Sequence, residues 1–334
     1  MKARRWTWIA CLLAHGCSGP PGAPIQLMIP SGATLEAVSD TLEAHGVVRH
    51  AMAFRLYARL RGADRRIQAG RYLLTPGTSW SEILATLIEG RVVTARMTVP
   101  EGFRLPQIAS RIAAVSELPD SAVLRALSDA DAATRYGTPG PGLEGYLFPD
   151  TYRFAAGVPV ATVVEAMVLR YRQVWTPERR ARLDSLGMTE RELVTLASIV
   201  QAEARMAEEM PRIASVYHNR LRRGWLLQAD PTVLYALGGH RERLLFAAID
   251  SVADHPYNTY HEPGLPPGPI GAPGERAIQA ALHPASEPFM YFVARPDGSH
   301  VFSRTLAEHN RAVAAVRREQ AELAAGGRGP GGTR

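Results

Sequence analysis

A glutamate at the edge of an apolar helical stripe is the residue in this sequence best placed for acid–base chemistry. Thr189 and Glu192 form a capping-box pattern, which predicts a helix that continues through 193–204. At about 100° per residue, Glu203 falls at the margin of the apolar stripe of that helix, next to Ile199. Partial burial of a carboxylate raises its pKa. A general acid that works near neutral pH requires such a pKa.

The residues alone leave a second interpretation of Glu203 open. A glutamate at the boundary of a helix can simply extend into solvent, or it can pair with a cation such as Arg205 or Arg212. Gln201 lies about 160° from Glu203 around the helix, so the two side chains cannot share one task through this helix alone.

The other titratable residues suggest structural roles. Glu208 and Glu209 precede Pro211 near the start of a further predicted helix, where acidic side chains suit the helix dipole. A metal hydrolase that uses scattered histidines is an alternative, and its ligands would be His240, His255, His261, His283 and His300. No pair of them has the spacing of a helical metal site such as His-Glu-x-x-His. We therefore predict neither a metal nor a cofactor.

The elements that must position these residues begin with a pattern that occurs three times. An apolar strand end is followed by Pro-x-Gly and then by an amphipathic helix, at Pro30–Gly32, Pro76–Gly77 after Thr75, and Pro100–Gly102. Ser79 and Glu82 form a capping-box pattern at the second of these helices. Because the spacings are irregular, the pattern indicates small strand–turn–helix units of an α+β domain and not a solenoid.

The rest of the chain is predicted to be mostly helical, with one hairpin. Residues 116–140 suggest a helix and then a Gly/Pro loop, 158–223 are strongly helical, and 255–274 allow little regular structure. Residues 288–303 alternate like a β-hairpin, and a terminal helix is predicted over 306–325. The fold class is therefore α+β.

The composition favours a soluble body with an anionic partner. The 334 residues are 46% hydrophobic and 21% charged, with a net charge of +6. That charge suits cell-wall polymer, a membrane surface or nucleic acid, and it is also what an arginine-rich GC-rich genome gives. No basic tract is interleaved with aromatic residues, so nucleic-acid binding is not expected.

The N-terminus has the pattern of an export signal. Lys2, Arg4 and Arg5 precede an apolar run of about nine residues, well short of the ~20 that span a bilayer as a helix. Both cysteines, Cys11 and Cys17, lie in this segment, so the body has no disulfide. An imperfect lipoprotein box ends at Cys17. A lipid anchor on Cys17, an uncleaved short anchor and a wrongly assigned start all remain open.

Several long segments together resemble the MltG/YceG-like endolytic murein transglycosylases, in that family's order from about residue 25 to 320. The segments that carry the resemblance are Glu144–Tyr152, Ala197–Ala204, Ala214–Leu221, Leu227–Tyr235, Tyr257–Tyr260, Gly264–Ile270, His283–Ala285, Tyr291–Val293 and His309–Asn310. Such a series of motifs in one order is far more specific than a single short pattern.

The resemblance implies one catalytic glutamate, the second acid of a Glu-x-Glu pattern, which falls on Glu203. Gln201 stands at the first position, which is not the family's catalytic one. The implied reaction is cleavage of the MurNAc–GlcNAc β-1,4 bond with formation of 1,6-anhydro-MurNAc ends, so as to terminate or trim nascent strands. The resemblance also implies a LysM-like N-terminal region, matched by Ala69–Tyr72 through Gly90.

The same resemblance suggests which residues bind the sugar. The loop Tyr257-Asn258-Thr259-Tyr260 offers aromatic faces and amide donors. Weaker candidates are Gln228, Asp230, Thr232 and Glu144. Asp230 also fits the N-cap of a helix that starts at Pro231, and Glu144 equally fits an ion pair with an arginine. We expect loop 263–274 to form a rigid wall of the cleft.

The predicted organisation is an export signal or anchor over 1–24, a LysM-like domain over 25–95, a catalytic domain over 96–325 and a tail over 326–334. The expected partners are glycan strands, the inner membrane through the N-terminus, and peptidoglycan synthases. The catalytic body is expected on the extracytoplasmic side because an export signal or anchor precedes it. The resemblance implies a longer transmembrane anchor than the short apolar run of this sequence. The alternative function is a non-catalytic wall-binding scaffold.

Overall fold

The computed structural model describes residues 22–239 and 246–326, which form a mixed α+β fold with small two-stranded sheets. The prediction of an α+β fold is therefore confirmed. The strands are β1 (Ile25–Ile29), β2 (Gly70–Leu74), β3 (Thr94–Thr98), β4 (Thr151–Ala155), β5 (Tyr291–Ala294) and β6 (His300–Ser303). The helices are α1 (Leu35–Ala44), α2 (Ala51–Leu60), α3 (Trp80–Glu89), α4 (Leu105–Ser116), α5 (Asp120–Leu127), α6 (Ala132–Tyr136), α7 (Val160–Val174), α8 (Pro177–Leu186), α9 (Glu190–Glu203), α10 (Met210–Arg222), α11 (Asp230–Ala236), α12 (Phe246–Asp250), α13 (Glu275–Leu282) and α14 (Leu306–Gly326).

The described chain divides into two compact units. The first comprises 22–97, 115–117 and 152–159, and the second comprises 98–114, 118–151, 160–239 and 246–326. The predicted domain boundaries at 24/25 and 95/96 stay predictions. The proposed lipidation site Cys17, with Cys11 and His240, lies outside the described residues.

In the first unit, β1 and β2 pair antiparallel, with Ile25 opposite Leu74 and Ile29 opposite Gly70. Alternate residues of both strands, such as Leu27 and Tyr72, are buried against the helices, as the period of two in a half-buried sheet requires. The hydroxyl of Ser79 accepts a hydrogen bond from the Glu82 backbone N–H, as the capping pattern predicted.

Turns follow β1, β2 and β3, as the sequence pattern predicted, and in the second of them Pro76 directly precedes Gly77, so that turn is Pro-Gly and not Pro-x-Gly. Gly32, Gly77 and Gly102 have φ of 76°, 88° and 77°, a backbone region in which a Cβ atom is strained. Glycine is therefore required at these positions for each strand to reverse into its helix. Helix α2, by contrast, was not predicted from the sequence.

The second unit is built around α9, which packs against α10, α11 and α13. Eight successive residues of α9, Leu193–Val200, are buried, and they form the centre of the larger hydrophobic core. Residues 263–274 have no regular helix or strand, in agreement with the Pro/Gly-rich sequence. In the described part of the chain, no helix has both the length and the apolar character needed to cross a membrane.

The predicted hairpin and terminal helix are confirmed. Strands β5 and β6 pair antiparallel from Tyr291 opposite Ser303 to Ala294 opposite His300. Helix α14 packs against both strands. The hairpin thereby joins the second unit, where α10 contacts β5.

Candidate active site

Glu203 is the last residue of α9. The helix begins with the predicted capping box, in which the Thr189 hydroxyl accepts from the Glu192 N–H and the Glu192 carboxylate accepts from the Thr189 N–H. The helix ends because Ala204 adopts an extended backbone conformation with ψ of 123°. The buried stripe of α9 thus fixes Glu203 at the point where the chain leaves the core.

The carboxyl group of Glu203 is held by a tyrosine from the neighbouring helix. Tyr217 of α10 is almost fully buried, and its hydroxyl donates a hydrogen bond of 2.8 Å to Glu203 Oε1. Of the two arginines predicted as ion-pair partners, Arg212 instead pairs with Glu287 at 3.0 Å. In the described part of the chain, no ion pair within 4.0 Å joins the other, Arg205, to Glu203. The structure therefore favours the acid–base interpretation of Glu203 over the ion-pair interpretation.

Burial is the main cause of a shift that raises the pKa of Glu203 to about 7. The hydrogen bond from Tyr217 and the positive charge of Arg220 act in the opposite direction, while the negative charge of Asp230 raises the pKa further. A carboxyl group with a pKa near neutrality is present in both protonation states at physiological pH. It can therefore donate a proton in one step and accept one in the next.

Glu203 lines a cavity of about 620 Å³, which we call the Glu203 cavity. Its wall comes from the end of α9, from α10, from the start of α11, from Tyr260, and from the hairpin with α14. Its polar and aromatic lining residues include Arg205, Tyr217, Arg220, Gln228, Asp230, Tyr260, Tyr291, Phe292, His300 and His309. A partly accessible acid among aromatic faces and polar groups is the arrangement expected of a sugar-binding site.

Three of the predicted substrate residues line this cavity together with Glu203. The Tyr260 hydroxyl donates a hydrogen bond of 2.5 Å to Asp230 Oδ1. Gln228 has φ of 47°, a left-handed conformation that is uncommon for a residue with a side chain, and such strain is concentrated at functional sites. The predicted N-cap role of Asp230 is wrong, because Ala229 is the N-cap residue of α11 and Asp230 is already helical.

Three other predicted substrate residues are buried and hold the loop in place. Asn258 donates to the backbone carbonyls of Ile249 and Val252 at 2.9 and 3.0 Å. Thr259 accepts from the Ala229 N–H and lies 2.9 Å from the Thr232 hydroxyl. All three side chains are at most 1% exposed. In contrast to the sequence-based expectation, the structure places Asn258, Thr259 and Thr232 behind the cavity wall, because their polar groups satisfy buried backbone groups.

Tyr257 and Glu144 also lie away from the Glu203 cavity. Tyr257 packs on Tyr235 with ring centroids 4.8 Å apart. Glu144 accepts from the Leu105 N–H at the start of α4, at 3.1 Å, and burial raises its pKa to about 7. The structure assigns Glu144 to a helix terminus, whereas the sequence suggested a substrate contact or an arginine pair.

A histidine–glutamate pair in the cavity wall was missed in the sequence. Glu209, interpreted there as a helix-dipole residue, lies 2.6 Å from His300 Nδ1 and also accepts from the His300 backbone N–H. His300 lines the Glu203 cavity together with His309. The two partners are 91 positions apart. In the sequence, His309 belongs to the motif series, whereas His300 was considered only as a metal ligand.

No group of three or more histidine, cysteine, aspartate or glutamate side chains is placed to hold an ion among 22–239 and 246–326. Of the histidines considered as ligands, His300 is engaged by Glu209, and His261 lies 3.8 Å from Asp250.

Comparison with known proteins gives a consistent set of relatives. Residues 27–315 match the YceG-like family. A Bacillus subtilis protein named endolytic murein transglycosylase is 34% identical over 304 residues, covering 86% of this chain and 83% of that protein. A protein of the same name from Streptococcus pneumoniae is 30% identical over 327 residues, covering 87% of this chain and 58% of that protein. The crystal structure of a yceG-like protein from Listeria monocytogenes is 34% identical, has a TM-score of 0.59, and is matched over 87% of this chain and 99% of that chain.

Proposed function

We propose that this chain, which belongs to the YceG-like family, is a lytic transglycosylase that cleaves peptidoglycan glycan strands at internal bonds. The two curated relatives described above carry that activity in their names. The observation that carries the proposal is the carboxyl group of Glu203, which lies in a large cavity with a pKa raised to about 7.

The proposed reaction uses Glu203 twice. The protonated carboxyl donates its proton to the glycosidic oxygen of the β-1,4 bond between MurNAc and GlcNAc, and the C1–O bond breaks. The resulting carboxylate then takes the proton from the C6 hydroxyl of the same MurNAc, whose oxygen bonds to C1. The products are a GlcNAc 4-hydroxyl and a 1,6-anhydro-MurNAc end. Glu203 is protonated again, and no water is consumed.

One acid suffices because the nucleophile comes from the substrate. Ordinary glycosidases need two carboxyl groups, one as acid and one as nucleophile or base. Asp230 lines the same cavity, but its Oδ1 is engaged by Tyr260. We assign Asp230, Gln228 and Tyr260 to substrate binding, with Asp230 also raising the pKa of Glu203 through its negative charge. The proposed chemistry requires neither a metal nor a cofactor.

The proposed location follows from the same family membership. We propose that the body acts outside the cytoplasm, held at the inner membrane by its N-terminus, where peptidoglycan synthases produce the strands it trims. We also propose that the first unit is LysM-like. The order β1–α1–α2–β2 with an antiparallel strand pair supports that proposal.

A digestion experiment separates this proposal from the alternative of a wall-binding scaffold. Purified murein sacculi are incubated with the wild-type protein and with Glu203→Gln. The proposal predicts that the wild type releases soluble glycan fragments and shortens strands from internal positions, whereas Glu203→Gln binds sacculi without releasing fragments. Co-sedimentation of the wild type with intact sacculi, with no fragments released, would leave only the scaffold.

A further inference from the structure

A second cavity adjoins the Glu203 cavity. It has a volume of about 550 Å³ and shares Ala202, Pro231 and Leu234 with the Glu203 cavity as lining residues. Ala202 immediately precedes Glu203, so the two cavities meet next to the candidate acid. A ligand longer than one sugar residue could therefore extend from the Glu203 cavity into the second cavity.

The second cavity is built by the third Pro-x-Gly turn, which the proposed reaction does not use. The Gly102 N–H donates to the Ala272 carbonyl at 2.7 Å, and the Ala272 N–H donates to the Phe103 carbonyl at 2.8 Å. A Cβ atom on Gly271 would lie 2.8 Å from the Gly102 carbonyl oxygen, so only glycine allows this approach. The turn is therefore fixed against Gly271 and Ala272 of the loop 263–274, which holds Phe103 and Arg104 in defined positions.

The lining of this cavity combines an aromatic ring, a cation, an amide and a carboxylate. Phe103, Arg104 and Gln107 line it together with the exposed Glu101, next to apolar Leu234 and Ile270. The Arg104 guanidinium lies 5.2 Å from the centroid of the Tyr235 ring and donates to the Leu234 carbonyl at 3.5 Å.

Arg104 has no ion-pair partner within 4.0 Å among the described residues. Its positive charge acts on Glu144, whose pKa it lowers against the larger effect of burial. Tyr257, which stacks on Tyr235, supports the ring on which Arg104 rests. A preoriented guanidinium is suited to recognise a carboxylate through two parallel hydrogen bonds.

We propose that the second cavity binds the murein unit next to the cleavage site, with Phe103 against a sugar face and Arg104 on a carboxylate of the stem peptide. This proposal rests on the proposed function, since it takes the ligand to be a peptide-bearing glycan strand. It assigns a role to the segment 101–107, for which the sequence indicated only a turn and a helix. It also makes the enzyme sensitive to whether the strand still carries its peptides.

The test measures binding with the full-length Glu203→Gln protein, so that the strands are not consumed. Two fluorescently labelled probes are compared: long glycan strands with unmodified stem peptides, and the same strands with the stem-peptide carboxylates converted to amides. Adding Arg104→Gln is expected to weaken binding of the unmodified strands by about tenfold or more, the loss expected for a charge-assisted hydrogen bond. Binding of the amidated strands is expected to stay the same. Adding Phe103→Ala weakens binding of both probes.

The controls separate charge, folding and function. Arg125→Gln removes an equal charge from an exposed position on α5 and is expected to change neither affinity. Arg104→Lys keeps a cation and should retain part of the preference, and equal thermal unfolding temperatures exclude a folding defect. Unchanged affinity of Arg104→Gln for the unmodified strands, or an equal loss with both probes, would overturn the proposal. Cleavage of the unmodified strands by the wild type is measured separately, so that an inactive enzyme refutes the proposed function while the binding data still decide the role of the second cavity.

Discussion

The substitution Tyr217→Phe tests how the pKa of Glu203 is set. It removes the hydroxyl that donates to Glu203 Oε1 at 2.8 Å and keeps the ring that packs edge-on against Phe292. The lost hydrogen bond stabilises the charged carboxylate. Without this hydrogen bond, which lowers the pKa of Glu203, the effect of burial dominates further and the pKa rises.

The size of this rise follows from the strength of one hydrogen bond to a charged group. Such a bond contributes about 1.5–3 kcal/mol, and each pH unit in a pKa corresponds to about 1.4 kcal/mol. The pKa of Glu203, about 7 in the wild type, is therefore expected to rise by about one to two pH units in Tyr217→Phe. Because the reaction begins with the protonated acid, the alkaline limb of the rate profile moves to higher pH by that amount.

The assay measures the initial rate of strand cleavage between pH 5 and 10 for the wild type and the variant. Tyr260→Phe is the matched control, since it removes a hydroxyl from the same cavity that bonds to Asp230 and not to Glu203. Its alkaline limb should stay with that of the wild type. An alkaline limb of Tyr217→Phe that does not move, or that moves to lower pH, would refute the role given to Glu203 as the titrating acid.

Four further substitutions test the assignments made to individual side chains. Because the pKa of Glu203 is raised from 4.5 to about 7 in the folded protein, the native state loses stability as pH rises through that window. Urea unfolding is therefore expected to show Glu203→Gln more stable than the wild type at pH 8, by at most about 3 kcal/mol, and equally stable near pH 4. Asn258→Ala leaves two backbone carbonyls without their donor and should lower the unfolding free energy by about 1–3 kcal/mol. Gln228→Ala should raise KM without lowering stability. A raised KM with unchanged stability for Asn258→Ala, or lowered stability with unchanged KM for Gln228→Ala, would contradict these assignments. His300→Ala leaves the carboxylate of Glu209 without its imidazole partner. This substitution should lower the unfolding free energy by about 1–3 kcal/mol and should also lower kcat/KM on murein. Wild-type values of both quantities would show that the pair is dispensable.

The local structure of the site could be predicted from the sequence because it depends on residues that are close together in the chain. The capping box of Thr189 and Glu192 spans three positions, and the turns at Gly32, Gly77 and Gly102 need only a glycine after a proline. The alternation of the hairpin likewise requires no knowledge of distant residues. From such local features the sequence predicts the helix that carries Glu203 and the position of Glu203 at the margin of its apolar stripe.

The residues that line the cavity could not be predicted from the sequence, because the lining depends on contacts between segments that are distant in the chain. The motif Tyr257–Tyr260 contains four polar or aromatic residues, but only Tyr260 lines the Glu203 cavity. Asn258 and Thr259 are used to satisfy backbone groups that no local pattern identifies as buried. The same holds for Glu209 and His300, which meet across 91 positions.

The chemical form of the new strand ends distinguishes attack by the C6 hydroxyl from hydrolysis. Murein strands are digested in water enriched in heavy oxygen, and the released muropeptides are examined by mass spectrometry. Attack by the C6 hydroxyl predicts 1,6-anhydro-MurNAc ends without heavy oxygen for the wild type, and the role of Glu203 predicts no new ends for Glu203→Gln. Reducing ends that carry heavy oxygen would contradict the first prediction, and anhydro ends formed by Glu203→Gln would contradict the second.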